Sequence, residues 1–179
     1  SILRILLVIP TVWFILRDEY TRALVLFFVA GASDGLDGLL ARRFGWTTRL
    51  GGFLDPIGDK LLMTAIYFML GYKILLPLWL VVLVIGRDAL ILGGAIAYRL
   101  VFREISMSPL LVSKINTACQ VSLALVMLFS LSSLPMAAAT PAWLLDALIY
   151  IVTTTTILSG LAYVVIWSRR AHRQIRGQA

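Results

Sequence analysis

The sequence contains very little cysteine, histidine or acid. Its 179 residues include one cysteine, Cys119, and one histidine, His172. A disulfide within the chain is therefore excluded, and so is a metal site built from several thiolate or imidazole ligands. Aspartate and glutamate together number nine, against sixteen lysines and arginines. With so few acids, a cluster of them within one short segment needs a specific explanation.

Apolar residues, by contrast, are abundant. They make up 60% of the chain, and the mean hydropathy is +0.94, whereas soluble domains are about 45–50% apolar. This composition predicts an integral membrane protein. The net charge of +7 could indicate a nucleic-acid partner. Because the basic residues flank the apolar segments, we instead interpret them as membrane-flanking charges and expect no nucleic-acid partner.

A transmembrane helix needs roughly 20 mostly apolar residues to cross a bilayer. By this criterion the apolar segments predict six helices. Their expected ranges are 2–16, 21–43, 49–72, 76–102, 109–132 and 141–170. Ser108 is expected to cap the fifth helix, with Pro109 at its first position. The predicted fold is an all-α integral membrane protein with six transmembrane helices, forming a single domain over residues 1–179.

The distribution of basic residues orients these predicted spans. One side receives Arg4, Arg42, Arg43, Arg49, Arg99, Arg103, Arg169, Arg170, Arg173 and Arg176. The other side receives Arg17, Arg22 and Lys73. Because cytoplasmic segments carry the excess of positive charge, both termini and the connection between helices two and three are expected in the cytoplasm. The basic segment 169–179 is expected to form a tail that anchors on anionic lipid.

Four of the nine acids lie in the segment 33–60, in a strongly apolar chain. They are Asp34, Asp37, Asp55 and Asp59. Each ionisable group within a membrane costs about 2.5–3.5 kcal/mol, so such groups indicate function by default. Spacings of three and four residues place each pair on one helix face. Both pairs lie at matching distances from the short connection, with Asp34 and Asp59 about 14 Å from it, which predicts one shared cleft.

Four neighbouring carboxylates repel one another unless a positive charge compensates them. Hard oxygen ligands suit Mg²⁺, Mn²⁺ or Ca²⁺, and two such ions could hold a phosphoryl group between them. Arg42 adds a planar donor fork that suits phosphate. The alternative is a structural polar network between two tightly packed membrane helices.

The spacing in this segment is D-x-x-D-G-x-x-A-R-x8-G-x3-D-x3-D. Its fixed positions are filled by Asp34, Asp37, Gly38, Ala41, Arg42, Gly51, Asp55 and Asp59. This pattern resembles the signature of the CDP-alcohol phosphotransferases. The resemblance implies six membrane helices with cytoplasmic termini, a homodimer, and a bacterial cytoplasmic membrane with the active site facing the cytoplasm.

The resemblance also implies a reaction and a role for each residue of the signature. The phosphatidyl group of CDP-diacylglycerol would pass to an alcohol acceptor, with release of CMP. Two Mg²⁺ or Mn²⁺ ions would be bound by the four aspartates, and Asp59 would also be the general base. The CDP moiety would lie against Asp34, Gly38, Ala41, Arg42 and Gly51.

The acceptor is expected to contact Arg87, Lys114 and Asn116. We expect Arg87 to face inward rather than to pair with Asp88, because adjacent helical residues point apart. For Lys114, extension to the membrane interface and contact with the acceptor are both open.

Two acceptors are compatible with these positions. Phosphatidylglycerophosphate synthases, which use glycerol 3-phosphate, resemble this chain around the signature but usually carry a second arginine and a G-K-x-K-T segment. Here those positions are Ala95 and S-K-I-N-T. The segment S-K-I-N-T-A-C-Q is instead similar to eukaryotic-type cardiolipin synthases, whose acceptor is phosphatidylglycerol. That acceptor is a phosphodiester monoanion and needs fewer cations, so we favour it over glycerol 3-phosphate.

Functions of other classes also fit parts of the pattern. The acids could line the path of a divalent-cation transporter or form a cation sensor. Helices four to six contain few polar residues with which to continue an ion path, which argues against transport. A non-catalytic assembly subunit is a third hypothesis, and it predicts no metal-dependent nucleotide binding.

Overall fold

The structure is a computed structural model that describes the backbone of residues 2–44, 49–102 and 110–177. Side chains are described for residues 3–33, 58, 60–96 and 110–169. The helices are α1 (Ile2–Leu16), α2 (Tyr20–Phe44), α3 (Arg49–Tyr72), α4 (Leu78–Phe102), α5 (Leu111–Ser130) and α6 (Ala142–Gly177), with a short 3₁₀ helix at Ala137–Ala139. No strand occurs in these ranges. The prediction of an all-α fold with six helices is confirmed.

In the described part of the chain, the sequence located the helix ends to within two residues, except at the end of α6. The fifth helix was predicted to start at residue 109; among the described residues it begins at Leu111, where the Leu110 carbonyl accepts hydrogen bonds from the amides of Ser113 and Lys114. Ser108 and Pro109 lie outside the described residues. At the other end of the chain, α6 continues to Gly177 rather than stopping near residue 170. Arginine, glutamine and alanine are good helix formers, so the basic segment extends the helix instead of forming a separate tail.

Among the residues whose side chains are described, three helices contain stretches that are long and apolar enough to cross a membrane: Leu78–Ile96, Leu111–Ser130 and Ala142–Arg169. The described parts of α1, α2 and α3 contain apolar stretches at Leu3–Leu16, Tyr20–Ser33 and Lys60–Tyr72. The composition is that of an integral membrane protein, and the cytoplasmic placement of both termini stays a prediction.

The described chain divides into two compact units. Unit 1 comprises residues 1–78 and 123–145, and unit 2 comprises residues 79–122 and 146–179. In unit 1, α1 packs against both α2 and α3. Arg4, Thr11 and Ile15 recur on one face of α1 at helical spacing, and each is at most 1% exposed. That buried face fixes α1 between the two helices that carry the acidic signature. The assignment of residues 1–179 to a single domain stays a prediction.

Helices α1 and α3 end in the same backbone motif. Asp18 and Ile74 have φ of 61° and 60°. Around them the amide of Glu19 donates to the Phe14 carbonyl, and the amide of Leu75 donates to the Leu70 carbonyl. The amide of Asp18 also donates to the Ile15 carbonyl, and the amide of Ile74 donates to the Gly71 carbonyl. Each pair of hydrogen bonds forms a Schellman motif.

The ends of α1 and α3 are joined by an ion pair. Lys73 Nζ lies 2.7 Å from Asp18 Oδ1, and Tyr20 Oη donates to the same carboxylate oxygen over 2.7 Å. The hydrogen bond from Lys73, followed by that from Tyr20, holds the pKa of Asp18 below its usual value. The start of α2 and the end of α3 therefore lie side by side.

Within unit 2, α4 and α6 approach each other closely at one glycine. A Cβ atom added at Gly94 would lie 1.2 Å from Cζ3 of Trp167. The indole ring therefore occupies the space that any other side chain at position 94 would need. Tyr163 packs edge-on against the same ring at a centroid distance of 5.8 Å.

Candidate functional site

The acidic signature is divided between two helices of unit 1. Asp34 and Asp37 lie in α2, whereas Asp55 and Asp59 lie in α3. Asp34 is roughly four turns from the start of α2, and Asp59 is roughly four turns from the end of α3. Because the Asp18–Lys73 pair joins those two ends, both acids lie at a similar helical level. Their side chains lie outside the described residues.

The metal and CDP roles of the signature stay predictions. Gly38, Ala41, Arg42 and Gly51 share α2 and α3 with the acids, and their side chains also lie outside the described part. Among the side chains that are described, no group of three or more His, Cys, Asp or Glu residues could hold a metal. Four carboxylates in two closely spaced pairs nevertheless form a hard-oxygen donor set of the kind that Mg²⁺ and Mn²⁺ prefer.

Arg4 is a buried charge that the sequence reasoning missed. It was counted as a cytoplasmic flanking charge, but it is 1% exposed and lies on the face of α1 that packs inward. Arg4 precedes the end of α1 by a little over three turns, which brings it near the helical level of Asp34 and Asp59. Arg4 is the sole charged residue in the apolar helix α1. That feature of the sequence could have identified it as a candidate functional residue.

Arg87 is the centre of a polar network in unit 2. Its side chain is 5% exposed, in agreement with the expectation that it faces inward. Nε donates to Ser159 Oγ over 3.2 Å, and Nη2 donates to the same oxygen and to Ser113 Oγ. Ser113 belongs to α5 and Ser159 to α6, so this guanidinium connects α4 to both helices.

The expectation that Arg87 would not pair with Asp88 is wrong. Nη1 of Arg87 lies 2.6 Å from Asp88 Oδ1, and the two side chains are 4% and 13% exposed. Cβ atoms of adjacent residues do point apart on a helix, but the long arginine side chain bends back far enough to reach its neighbour. Arg87 is therefore both inward-facing and charge-compensated.

Asn116 lies in a second part of the same unit. It is fully buried, and its Oδ1 accepts hydrogen bonds from Thr156 over 2.9 Å and from Thr155 over 2.8 Å. Its Nδ2 is also buried and has no hydrogen-bond partner among the described residues. Lys114, two residues earlier, is exposed.

These contacts form two levels that we call the arginine level and the asparagine level. The arginine level consists of Arg87, Ser113 and Ser159, and the asparagine level consists of Asn116 and Thr156. Ser113 and Asn116 are three residues apart on α5, and Thr156 and Ser159 are three apart on α6. The two levels therefore lie about 4.5 Å apart along these helices.

The structure thus brings some predicted site residues together and leaves others apart. Arg87 and Asn116 are held at adjacent levels of unit 2, while the signature acids belong to unit 1. A cavity of about 410 Å³ at the other end of α2 is lined by residues 18–22 and 131–133, and it includes none of the predicted site residues.

Comparison with known proteins places the whole signature within one family. The family model described as CDP-alcohol phosphatidyltransferase matches residues 1–158. A probable cardiolipin synthase (CMP-forming) of Drosophila melanogaster is 31% identical over 84% of this chain and 51% of its own length. A cardiolipin synthase (CMP-forming) / mitochondrial hydrolase fusion protein of Schizosaccharomyces pombe is 35% identical over 95% of this chain and 30% of its own length.

The chain is also similar to a protein whose name specifies glycerol 3-phosphate. The CDP-diacylglycerol–glycerol-3-phosphate 3-phosphatidyltransferase of Bacillus subtilis is 32% identical over 78% of this chain and 69% of its own length. The chain spans about half or less of the length of the Drosophila and fission-yeast relatives. Proteins named as cardiolipin synthases and a protein named as a glycerol-3-phosphate 3-phosphatidyltransferase are therefore both among its relatives.

Proposed function

Because the chain belongs to the CDP-alcohol phosphatidyltransferase family, we propose that it is an enzyme that transfers the phosphatidyl group of CDP-diacylglycerol to an alcohol and releases CMP. The complete signature on α2 and α3 carries this proposal. A membrane protein suits this donor, because the acyl chains of CDP-diacylglycerol remain in the bilayer throughout the reaction.

In the proposed reaction the acceptor hydroxyl oxygen attacks the phosphorus that bears the diacylglycerol. A new P–O bond forms, the pyrophosphate bond breaks, and CMP leaves. Asp59 takes the proton of the hydroxyl as general base. Asp34, Asp37, Asp55 and Asp59 would hold two Mg²⁺ or Mn²⁺ ions, which when bound neutralise the charge of the diphosphate. Asp34, Gly38, Ala41, Arg42 and Gly51 would border the CDP moiety.

We propose phosphatidylglycerol as the acceptor, which makes the product cardiolipin. The supporting observation is the Arg87–Asp88 ion pair, because the Asp88 carboxylate compensates the charge of the Arg87 guanidinium. Asn116 adds a neutral donor, and Lys114 then supplies a single positive charge. That balance suits the phosphodiester monoanion of phosphatidylglycerol better than the phosphomonoester of glycerol 3-phosphate. Glycerol 3-phosphate is the alternative acceptor.

The cellular setting is part of the same proposal. The asymmetry of basic residues supports an active site that faces the cytoplasm, and we propose a bacterial cytoplasmic membrane as the location of the protein. A homodimer is expected by similarity to the family signature.

The test is an assay of CMP release by the purified protein in mixed micelles with labelled CDP-diacylglycerol. Phosphatidylglycerol and glycerol 3-phosphate are supplied separately, and we expect the higher kcat/KM with phosphatidylglycerol. Asp59→Asn should lower kcat by roughly 10²–10⁴-fold. The matched control is Asp146→Asn, which alters an exposed acid in α6 and should leave kcat unchanged.

Metal removal provides a second arm of the same assay. EDTA should abolish CMP release, and Mg²⁺ or Mn²⁺ should restore it. Wild-type turnover by Asp59→Asn would contradict the assignment of the base. Cation flux into liposomes without any CMP release would instead favour a transporter.

A further inference from the structure

Four consecutive threonines in α6, residues 153–156, differ in what their hydroxyl groups contact. Thr153 and Thr154 donate to backbone carbonyls one turn earlier in the same helix. The Thr155 hydroxyl lies within reach of two such carbonyls and of Asn116. Thr156 is 1% exposed and donates to Asn116 Oδ1. Both Thr155 and Thr156 therefore contact Asn116, but the Thr155 hydroxyl is shared with carbonyls of its own helix, whereas the described contact of the Thr156 hydroxyl is to Asn116.

This contact determines which way the Asn116 amide is turned. A hydroxyl that donates to Oδ1 fixes that end of the amide as the acceptor, so Nδ2 becomes the free donor end. Nδ2 is buried without an acceptor in the described part of unit 2. Leaving such a donor unpaired is costly, so its retention indicates that it serves a bound group.

Ser159 acts on Arg87 in the same way. Its hydroxyl accepts from both Nε and Nη2, which fixes the plane of the guanidinium. Gly160 follows directly, and a Cβ atom added there would lie 3.8 Å from Arg87 Cγ. One face of α6 thus orients both polar groups that we assign to the acceptor, at two adjacent helical levels.

We propose that Thr156 and Ser159 are positioning residues for the acceptor. They hold the Asn116 amide and the Arg87 guanidinium so that Nδ2 donates to an oxygen of a glycerol-type head group beside the arginine. This inference rests on the proposed function and deepens it. It also predicts that α6, which contributes nothing to the signature, controls how well the acceptor is bound.

The test compares three single variants at α6. Thr156→Val removes the hydroxyl and keeps the branched shape, Thr156→Ser keeps the hydroxyl, and Thr154→Val removes an exposed hydroxyl from the same helix. The KM values for phosphatidylglycerol and for CDP-diacylglycerol are measured separately from CMP release. Loss of one hydrogen bond should raise the acceptor KM about fivefold in Thr156→Val, with the donor KM unchanged. Thr156→Ser should restore the acceptor KM, and Thr154→Val should behave as wild type.

A double variant tests whether Thr156 acts through Asn116. Once Asn116→Ala has removed the amide, Thr156→Val should add no further increase in acceptor KM. An independent, additive effect would overturn the positioning role. Equal increases in the KM values for both substrates would also overturn it, because they would reflect a general loss of packing.

The outcomes separate this inference from the proposed function. Absence of CMP release by the wild type with either acceptor would overturn both. Normal CMP release, with the acceptor KM of Thr156→Val equal to that of Thr154→Val, would overturn this inference alone. If Thr156→Val does not fold, Ser159→Ala provides the same comparison at the arginine level, where the acceptor KM should rise and the donor KM should not.

Discussion

Charged pairs occur in two contrasting settings in the described part of the chain. In unit 1, Glu19–Arg22 and Asp18–Lys73 lie at the ends of helices, where Arg22 and Asp18 are 67% and 64% exposed. In unit 2, Arg87–Asp88 is almost completely buried. Water and salt screen the exposed pairs. The charges of the buried pair are largely removed from water and depend on the protein groups around them for compensation. Of the exposed pairs, Asp18–Lys73 connects two helix ends and Glu19–Arg22 lies at the start of α2, whereas the buried pair lies inside α4.

The backbone shows the same contrast between helix ends and helix interior. Ile74 adopts a φ of 60° at the end of α3, although a β-branched residue is poorly suited to that conformation. Gly94 lies inside α4, where glycine lowers helix propensity, yet the Trp167 ring leaves no space for another residue. Local preference is violated at both positions, but packing provides a reason only at Gly94.

The largest expected effect is that of breaking the buried pair. Arg87→Met removes the guanidinium that pairs with the buried Asp88 carboxylate and should cost about 3–5 kcal/mol of unfolding free energy. Equilibrium unfolding in mixed micelles measures this cost. The matched control is Arg22→Met, which breaks an exposed pair and should change stability by at most about 1 kcal/mol. Similar costs for the two variants would remove the contrast between the two settings.

A smaller loss is expected from adding a methyl group at Gly94. Gly94→Ala forces the Trp167 ring to move and should destabilise the protein by about 1–3 kcal/mol. Gly93→Ala is the control, because a Cβ atom there meets nothing within 4 Å. That control should be neutral or stabilising by up to about 1 kcal/mol through helix propensity. The two variants are compared by their unfolding midpoints, and a midpoint for Gly94→Ala above that of Gly93→Ala would contradict the packing argument.

At the end of α3 the sign of the expected effect reverses. Ile74→Gly relieves roughly 1–2 kcal/mol of left-handed strain and adds about 0.5–1 kcal/mol of chain entropy to the unfolded state. The net expectation is a stabilisation of about 0.5–1 kcal/mol. Ile74→Asn should give a smaller gain, because asparagine tolerates this φ. Destabilisation by both variants would show that the 90% exposed Ile74 side chain makes a favourable contact with lipid or detergent.

The smallest effect concerns Asp18 and depends on pH. Its pKa is lowered in the folded state, first by the hydrogen bond from Lys73, so its contribution is fully present above the unfolded value of about 3.9. The contribution is lost as the pH falls through the lowered folded pKa. Asp18→Asn should therefore be slightly less stable than wild type at neutral pH and equal to it in strong acid. A stability difference that persists in strong acid would assign the effect to backbone conformation at position 18.

Much of the fold could be predicted from the sequence because membrane helices are determined by local composition. The bounds of α1 and α3 were predicted to the residue, since apolar runs and basic flanks coincide with their ends. The predicted cap of α5 at Ser108 and Pro109 lies outside the described residues, in which the helix begins at Leu111. The continuation of α6 was missed because positive charge was interpreted as a tail rather than as part of a helix.

In the candidate site, too, features that depend on local sequence were predicted, whereas contacts between distant helices were not. The signature acids were identified from spacing alone, because spacings of three and four residues fix a helix face without knowledge of the rest of the chain. The partners of Arg87 and Asn116 could not be identified in this way. Ser159 and Thr156 lie some 70 and 40 residues away from them in sequence, and no periodicity within one helix relates residues on different helices.

The sequence by itself determined that this is an all-helical membrane protein with a four-carboxylate signature on two helices. Those features depend on composition and on the 3.6-residue helical repeat, both of which are local. The tertiary structure decided that Arg4 is buried rather than flanking, that Arg87 pairs with Asp88, and that hydroxyl groups of α6 contact Asn116. The physical reason is that the free energy of a polar group depends on which side chains surround it after packing, and that is set by contacts between helices distant in sequence.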